Sequence, residues 1–172
     1  MRRTLFLLFI SFSAVVQAHP LVGAAGRGDA AAVRCMIESG VCTEVRNNVG
    51  VTALQVAVYN GRLDVVEYLL KSGADINAVD NSGWNAFHVA ILENRAPILN
   101  ALLKDPRLDV NAPDSHGDTP LMKFAQSGNA EMVSRLLKIG ANVGDVDRYG
   151  QTALDLSTDA TVQKLLKGRG GS

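Results

Sequence analysis

The sequence predicts an all-α solenoid of short helix–turn–helix repeats, and two patterns support this fold class. Four glycines, Gly50, Gly83, Gly117 and Gly150, each open a segment of the form G-x-[TN]-[AP]-[LF], at spacings of 33, 34 and 33 residues. Each opening is followed by two short stretches in which apolar residues recur with a helical period. One such helix pair cannot bury its apolar face alone, so neighbouring pairs are expected to stack.

The segment at residues 50–80 shows the repeating unit most clearly. Thr52 is placed to cap a first helix, whose apolar residues are Leu54, Val56, Ala57 and Val58. The apolar face of the second helix consists of Val65, Val66, Leu69 and Leu70. Gly61 allows the turn between the two helices. Gly73 is expected to end the second helix, because a positive φ costs glycine almost nothing.

These units resemble the ankyrin repeat. Their openings read GVTALQVA, GWNAFHVA, GDTPLMKF and GQTALDLS, and their second helices end in VVEYLLKSGADIN, ILNALLKDPRLDVN and MVSRLLKIGANV. The resemblance implies one ankyrin-repeat domain at residues 19–167. It would hold about five repeats, at about residues 19–46, 47–80, 81–114, 115–147 and 148–167, and the outer repeats would act as caps. Residues 168–172 are expected to form a flexible tail.

The third and fifth repeats depart from the pattern. The third has Glu93-Asn94-Arg95 where a turn glycine is expected, and Pro97 lies at the head of its second helix. Asp105-Pro106-Arg107 replaces the glycine that ends the helix, and the proline is expected to end it by another route. The fifth repeat is shortened in its turn, which suits a C-terminal cap.

Composition argues against several classes of function. The 17 basic and 17 acidic residues balance, so no charge footprint for nucleic acid or a membrane surface is present. No P-loop, dinucleotide-binding glycine pattern or zinc-ligand spacing occurs, and no nucleophile or base stands out. We therefore expect a protein that is not an enzyme, that has no cofactor or metal, and that is a monomer on its own.

The first eighteen residues read as a secretory signal peptide. Arg2 and Arg3 precede an apolar run at residues 5–16, and Val16-Gln17-Ala18 offers small residues at a cleavage site. The apolar run is short for a transmembrane span. We expect cleavage after Ala18 and a periplasmic or secreted mature protein without a membrane anchor. The first helix would then begin right after the cut, with Pro20 at a helical N-terminal position.

The two cysteines, Cys35 and Cys42, both fall in the first repeat. An exported chain meets an oxidising compartment, where a disulfide of this loop size would stabilise the fold by about 2.5 kcal/mol. A disulfide and a half-buried pair of free thiols both remain open at this stage, because the sequence does not give the distance between them.

The three histidines are better explained by structure than by chemistry. His88 lies at the fourth position of the repeat opening, where the ankyrin family uses histidine structurally. His116 lies at a loop tip, where it is expected to be solvated or to contact a partner. His19 would become the N-terminal residue, but no second histidine is clearly placed to complete a copper site.

The ankyrin resemblance also implies a binding surface, the concave groove formed by loop tips and first helices. Transferred by position, the tip residues are Asn48, Val49, Val51, Asn81, Ser82, Trp84, Ser115, His116, Asp118, Arg148, Tyr149 and Gln151. The first helices add Arg27, Tyr59, Asn60, Leu92, Glu93, Gln126 and Ser127. Trp84 and Tyr59 are expected to form an aromatic patch that anchors a partner, although each is also compatible with packing on a neighbouring loop. Tyr68, on a second helix, is expected to be partly buried.

These features together look like a bacterial periplasmic or secreted ankyrin protein that binds another protein. An inhibitor or immunity protein that blocks a toxin or an enzyme is one expectation. The alternatives are an adaptor that stabilises a periplasmic enzyme and a secreted effector that binds a host protein.

Overall fold

The computed structural model describes residues 19–168, which form ten α-helices. The signal peptide expected at residues 1–18 and most of the expected tail lie outside the described residues. The helices are α1 (Pro20–Arg27), α2 (Ala30–Glu38), α3 (Ala53–Tyr59), α4 (Leu63–Lys71), α5 (Ala86–Leu92), α6 (Ala96–Leu102), α7 (Pro120–Gln126), α8 (Ala130–Lys138), α9 (Ala153–Leu156) and α10 (Ala160–Lys167). Within this part of the chain there is no β-strand, only an isolated bridge between Arg46 and Thr52. The predicted all-α repeat fold is confirmed.

The helices follow one another as pairs, and their contacts divide the described chain into two compact units, one ending at Leu108 and the other beginning at Asp109. In the first unit, α1 packs on α3 and α3 on α5, while the second helices α2, α4 and α6 pack in the same order. In the second unit, α7 packs on α9 and α8 on α10. Each unit therefore stacks equivalent helices on one another, as the repeating sequence pattern predicts.

The core of each unit consists of the apolar residues that the helical periodicity selects. In the first unit, Leu54, Phe87 and Leu69 are fully buried between helices. In the second unit, Leu121 and Leu136 hold the same positions. Helix α2 contributes little to the core, since Val33 is its one buried residue.

The first helix of four pairs begins with the same reciprocal cap. Thr52, Asn85, Thr119 and Thr152 each accept a hydrogen bond from the backbone N–H three residues later, and the side chain at that later residue accepts the N–H of the cap. In α5 the later residue is His88, which is buried and whose Nδ1 lies 3.3 Å from the N–H of Asn85. The structural role expected for His88 is therefore the role that it has.

The residue that follows a helix end with a positive φ is usually glycine, and in one place it is asparagine. Gly73 has a φ of 88°, in the left-handed region, as expected for a residue that ends a helix. In the third pair, Asn94 takes the turn position with a φ of 50°, and it is the one residue other than glycine with a positive φ in the described chain. Asparagine tolerates this region better than most side chains do, so the turn survives the loss of its glycine.

The loop after α6 is held by an arginine that replaces the missing glycine. Arg107 donates hydrogen bonds to the carbonyls of Leu70, at 3.1 Å, and Ala74, at 3.4 Å, and it also pairs with Asp105. The carbonyl of Leu70 belongs to the last turn of α4, where helix carbonyls lack partners within the helix. Arg107 thus joins the third pair to the end of the second.

Candidate functional site

The loop tips that precede the first helices share one backbone frame. Asn47, Asp80, Asp114 and Asp147 each lie three residues before a tip glycine, and their Oδ1 atoms accept the N–H groups two and four residues later. These hydrogen bonds are 2.8 to 3.1 Å long. The residues whose N–H groups are bound are Val49, Val51, Ser82, Trp84, His116, Asp118, Tyr149 and Gln151. The frame therefore fixes the backbone of the very residues that the sequence predicts to bind a partner.

Sequence reasoning missed these four side chains, although a signal was present. An aspartate or asparagine stands three residues before every tip glycine, and such side chains commonly bind their own backbone in turns.

The structure places the predicted binding residues in three environments. The exposed ones are Arg27, Asn48, Asn81, Ser82, Ser115, Gln126, Ser127, Arg148, Tyr149 and Gln151. The half-buried ones are Val49, Tyr59, Asn60, Trp84, Leu92, Glu93, His116 and Asp118. Val51 is only 6% exposed, so its assignment to the binding surface is wrong. Its N–H is turned to Asn47 and its side chain packs into the core, and a partner therefore cannot reach it.

Trp84 lies half-buried at the second tip of the first unit. Its ring centroid is 6.3 Å from that of His88, and the two rings are tilted by 49°. Its carbonyl accepts a hydrogen bond from the amide of Gln55, a buried residue of α3 that also accepts the N–H of Thr52. Part of the indole therefore packs on the protein and part stays accessible. The aromatic patch with Tyr59 stays a prediction.

Tyr59 ends α3 and is held by the next helix pair. The guanidinium of Arg95 donates a hydrogen bond of 2.8 Å to the Tyr59 carbonyl. Burial of the phenol, followed by the nearby carboxylate of Glu93, raises the pKa of Tyr59, while Arg95 opposes the shift. Beside it, Asn60 donates its amide to the carbonyl of Val56 at 2.9 Å, so that amide caps its own helix.

In the second unit, Lys123, which the sequence did not mark as a binding residue, forms ion pairs with two residues of the tip that begins at Asp114. Lys123 Nζ lies 2.8 Å from Asp114 Oδ2 and also donates to Asp118. Asp114 is fully buried at its side chain. Burial acts to raise the pKa of Asp114, but hydrogen bonds from Lys123 and from the N–H groups of His116 and Asp118 outweigh it, and the pKa lies below its ordinary value. Asp118 is therefore engaged within the protein.

Tyr149 is the most exposed large apolar side chain in the described chain, at 73%. The guanidinium carbon of Arg148 lies 5.2 Å from the centre of its ring, a cation–π distance. The backbone N–H of Arg148 also donates to the carbonyl of His116 at 3.2 Å, which links the two tips of the second unit. Val146, two residues before Arg148, is 54% exposed. The last tip thus presents an aromatic ring, a cation and an aliphatic side chain on a fixed backbone.

A separate depression of about 700 Å³ lies in the first unit, on the second helices. It is lined by Leu63, Glu67, Leu70, Lys71, Pro97, Asn100, Ala101, Lys104, Asp105, Pro106 and Arg107. None of the predicted binding residues lines it.

The remaining candidate chemical groups are the two cysteines and His19. Cys35 and Cys42, for which disulfide and free thiols were both open, are free and exposed rather than half-buried. His19 caps α1, its Nδ1 accepting the N–H of Leu21 at 3.2 Å. Among residues 19–168, no three metal-ligating side chains come together, and no helix has the length and apolarity needed to cross a membrane.

The family comparison agrees with this geometry. The family model described as ankyrin repeats (3 copies) matches residues 21–114 and, in a second match, residues 87–170. Ankyrin repeats indicate a protein–protein interaction module, and the fold is typically a binding scaffold without enzymatic activity. The chain belongs to the ankyrin-repeat family.

Proposed function

We propose that this protein is exported and binds one protein partner through its loop tips and first-helix ends, acting as an inhibitor or immunity protein. The observation that carries the proposal is Tyr149, a ring 73% exposed on a tip whose backbone is fixed by Asp147. A ring this exposed buries little apolar surface within the fold, whereas tyrosine, tryptophan and arginine are the residues that most often anchor protein interfaces.

The rigid frame of the tip strengthens the proposal. Asp147 Oδ1 accepts the N–H groups of Tyr149 at 2.8 Å and Gln151 at 2.9 Å, and the N–H of Gly150 bonds to the Asp147 carbonyl at 3.0 Å. Binding therefore requires little ordering of this loop, and the lost conformational entropy that normally weakens association is small. The same frame recurs at the other tip of this unit and at the two tips of the first unit.

Export is supported by where the first helix begins. Removal of residues 1–18 would leave α1 whole, because Pro20 is its first residue and His19 is its cap. The buried Leu21 and Val22 also stay in the mature chain. Amino-terminal sequencing of the protein from the periplasmic fraction and from the medium is expected to read His19 first. A chain that keeps residues 1–18 and stays in the cytoplasm would refute the export proposal.

Affinity capture with the purified protein as bait tests the binding surface. The bait is exposed to native envelope extract and medium beside Tyr149→Ala, with Ile139→Ala as the matched control. Ile139 is an exposed apolar residue of the same unit, at 47%, but it is the C-cap of α8 and belongs to no tip. The tip variant is expected to bind the captured partner about 5- to 100-fold more weakly, and the control to match the unmodified protein. Equal affinity of all three would place the interface elsewhere.

The captured partner distinguishes the candidate functions. A toxin or hydrolase whose activity falls on binding fits the inhibitor. A partner whose activity or abundance rises fits the adaptor instead. Capture from host extract alone would favour the secreted effector.

A further inference from the structure

The two thiols of the first helix pair lie on either side of a tight chain reversal. Cys35 is on the last turn of α2, and Cys42 follows Gly40, whose φ is 91°. The N–H of Val41 bonds to the carbonyl of Met36 at 3.0 Å across this turn. The residues directly inside the cysteine pair, Met36 and Val41, are therefore hydrogen-bonded to each other, so the two cysteines flank a closed turn.

Cys42 replaces a residue that accepts a backbone hydrogen bond in the later pairs. At the equivalent position, Asp75, Asp109 and Asn142 each accept the N–H two residues later through a side-chain oxygen, at 2.9, 2.9 and 3.1 Å. In the first pair, Cys42 Sγ accepts the N–H of Glu44 at 3.4 Å. The loop N–H is thus bonded to a sulfur atom in the first pair and to an oxygen atom in the later pairs. A hydrogen-bond donor at this place stabilises negative charge on the sulfur.

We propose that Cys35 and Cys42 form a thiol–disulfide exchange site whose substrates are small disulfides such as glutathione disulfide. The Cys42 thiolate attacks one sulfur of the small disulfide, forming a mixed disulfide and releasing one thiolate, which takes up a proton. The Cys35 thiolate then attacks the sulfur of Cys42 and releases the second small thiol. The two protein thiols are oxidised to one disulfide, and the small disulfide is reduced to two thiols.

The bridge would act on the contact between the first two helix pairs. The loop after Cys42 carries Glu44, whose Oε1 accepts the N–H of Asp75 at 2.9 Å. Oxidation would tie this loop to the end of α2, and the attack on Cys42 would take its sulfur away from the N–H of Glu44. The redox state would therefore set how firmly the first pair is held on the second.

The first test uses the full chain with both thiols reduced, mixed with glutathione disulfide and reduced glutathione at a fixed ratio. Remaining thiols are alkylated, and the products are read by intact mass and peptide mapping. A Cys35–Cys42 disulfide is expected as the main oxidised product. Stable glutathione on both cysteines, or a disulfide between two copies of the chain, would overturn the pairing.

Single variants identify the attacking sulfur. The Cys35→Ser variant is expected to stop at the mixed disulfide between Cys42 and glutathione. The Cys42→Ser variant is expected to acquire glutathione at Cys35 at least about fivefold more slowly than Cys35→Ser acquires it at Cys42. Equal rates would overturn the assignment of Cys42 as nucleophile.

Measuring the same equilibrium in urea distinguishes two causes of disulfide formation, the folded structure and the short spacing of the two cysteines along the chain. The equilibrium constant for bridge formation is expected to be at least about tenfold larger in the folded than in the unfolded chain. An equal or smaller constant would show that the fold does not position the pair.

Discussion

Replacement of Lys123 by valine would test how the third tip, which begins at Asp114, is stabilised. Asp80 and Asp114 occupy the same position in successive repeats and bind their own loops in the same way. Their pKa values nevertheless shift in opposite directions. Burial raises the pKa of Asp80 against the hydrogen bonds of its loop, whereas the pKa of Asp114 is lowered. In the repeat that contains Asp80, the residue equivalent to Lys123 is Val89, which is 1% exposed.

The expected loss follows from the contacts of the ammonium group. Lys123 Nζ is 2.8 Å from a carboxylate that is fully buried, and its own side chain is 22% exposed. A hydrogen bond to a charged group contributes about 1.5–3 kcal/mol, and the loss of one partner of a fully buried pair costs about 3–5 kcal/mol. Because the lysine is partly solvated, we expect Lys123→Val to lower the free energy of unfolding by about 2–3 kcal/mol at pH 7.

The loss should depend on pH in a defined direction. The pKa of Asp114 is lowered in the folded protein, so its stabilisation is fully present above the pKa of the unfolded chain, about 3.9. It is lost as the pH falls through the pKa of the folded protein. The difference between Lys123→Val and the unmodified protein should therefore shrink as the pH is taken below about 4. In the variant, the pKa of Asp114 should shift upward, as that of Asp80 does.

Urea unfolding followed by circular dichroism at several pH values measures the difference, and an NMR titration of the Asp114 carboxyl measures its pKa. Lys138→Val, at an exposed lysine of the same unit, is the matched control and should change stability by less than about 0.5 kcal/mol. A loss in Lys123→Val that is the same at every pH would refute the electrostatic reasoning and leave a packing effect. An unchanged carboxyl titration would do the same.

Three further predictions concern the first unit. Leu69→Ala should lower the free energy of unfolding by about 2–5 kcal/mol in urea titrations, because Leu69 is fully buried and its loss leaves a cavity. Gly73→Val should lower the free energy of unfolding by about 1–2 kcal/mol because its φ is 88°, although an added Cβ would meet no atom within 4 Å. An unchanged stability in calorimetry would contradict this. Trp84→Ala and Tyr59→Ala should each weaken partner binding by about 1–3 kcal/mol with little change in melting temperature, and a large drop in melting would instead identify these half-buried rings as core.

The helices were predictable because their signals are local. Apolar periodicity selected Leu54 and Leu69, both of which are buried, and the glycine at residue 73 adopts the left-handed conformation that ends a helix. The turn at residues 93–95 shows the limit of such reasoning. The sequence shows that a glycine is missing there, but only the structure shows that Asn94 takes over its conformation.

The binding surface was less predictable, because the transfer by repeat position ignores what a side chain meets in space. Val51 falls at a tip position, yet its side chain is buried while its N–H serves the loop. Lys123 falls at a helix position that is apolar in the Asp80 repeat, so no pattern marks it as the partner of Asp114. Both depend on contacts between the loop and the helix, which a one-dimensional repeat pattern does not contain.

In each tip, the residue that holds the turn is different from the residues whose side chains vary. An Asn or Asp at the start of each tip binds the N–H groups two and four residues later, and this is the same at all four tips. The pairs of side chains at the second and third residues of the tip differ from tip to tip: Asn48 and Val49, Asn81 and Ser82, Ser115 and His116, Arg148 and Tyr149. Because the backbone bonds do not involve these side chains, they can vary without cost to the turn. Under the proposed function, these pairs contribute to the selection of a partner beside Trp84 and Tyr59, and the pair that exposes the largest apolar ring is the one at Tyr149.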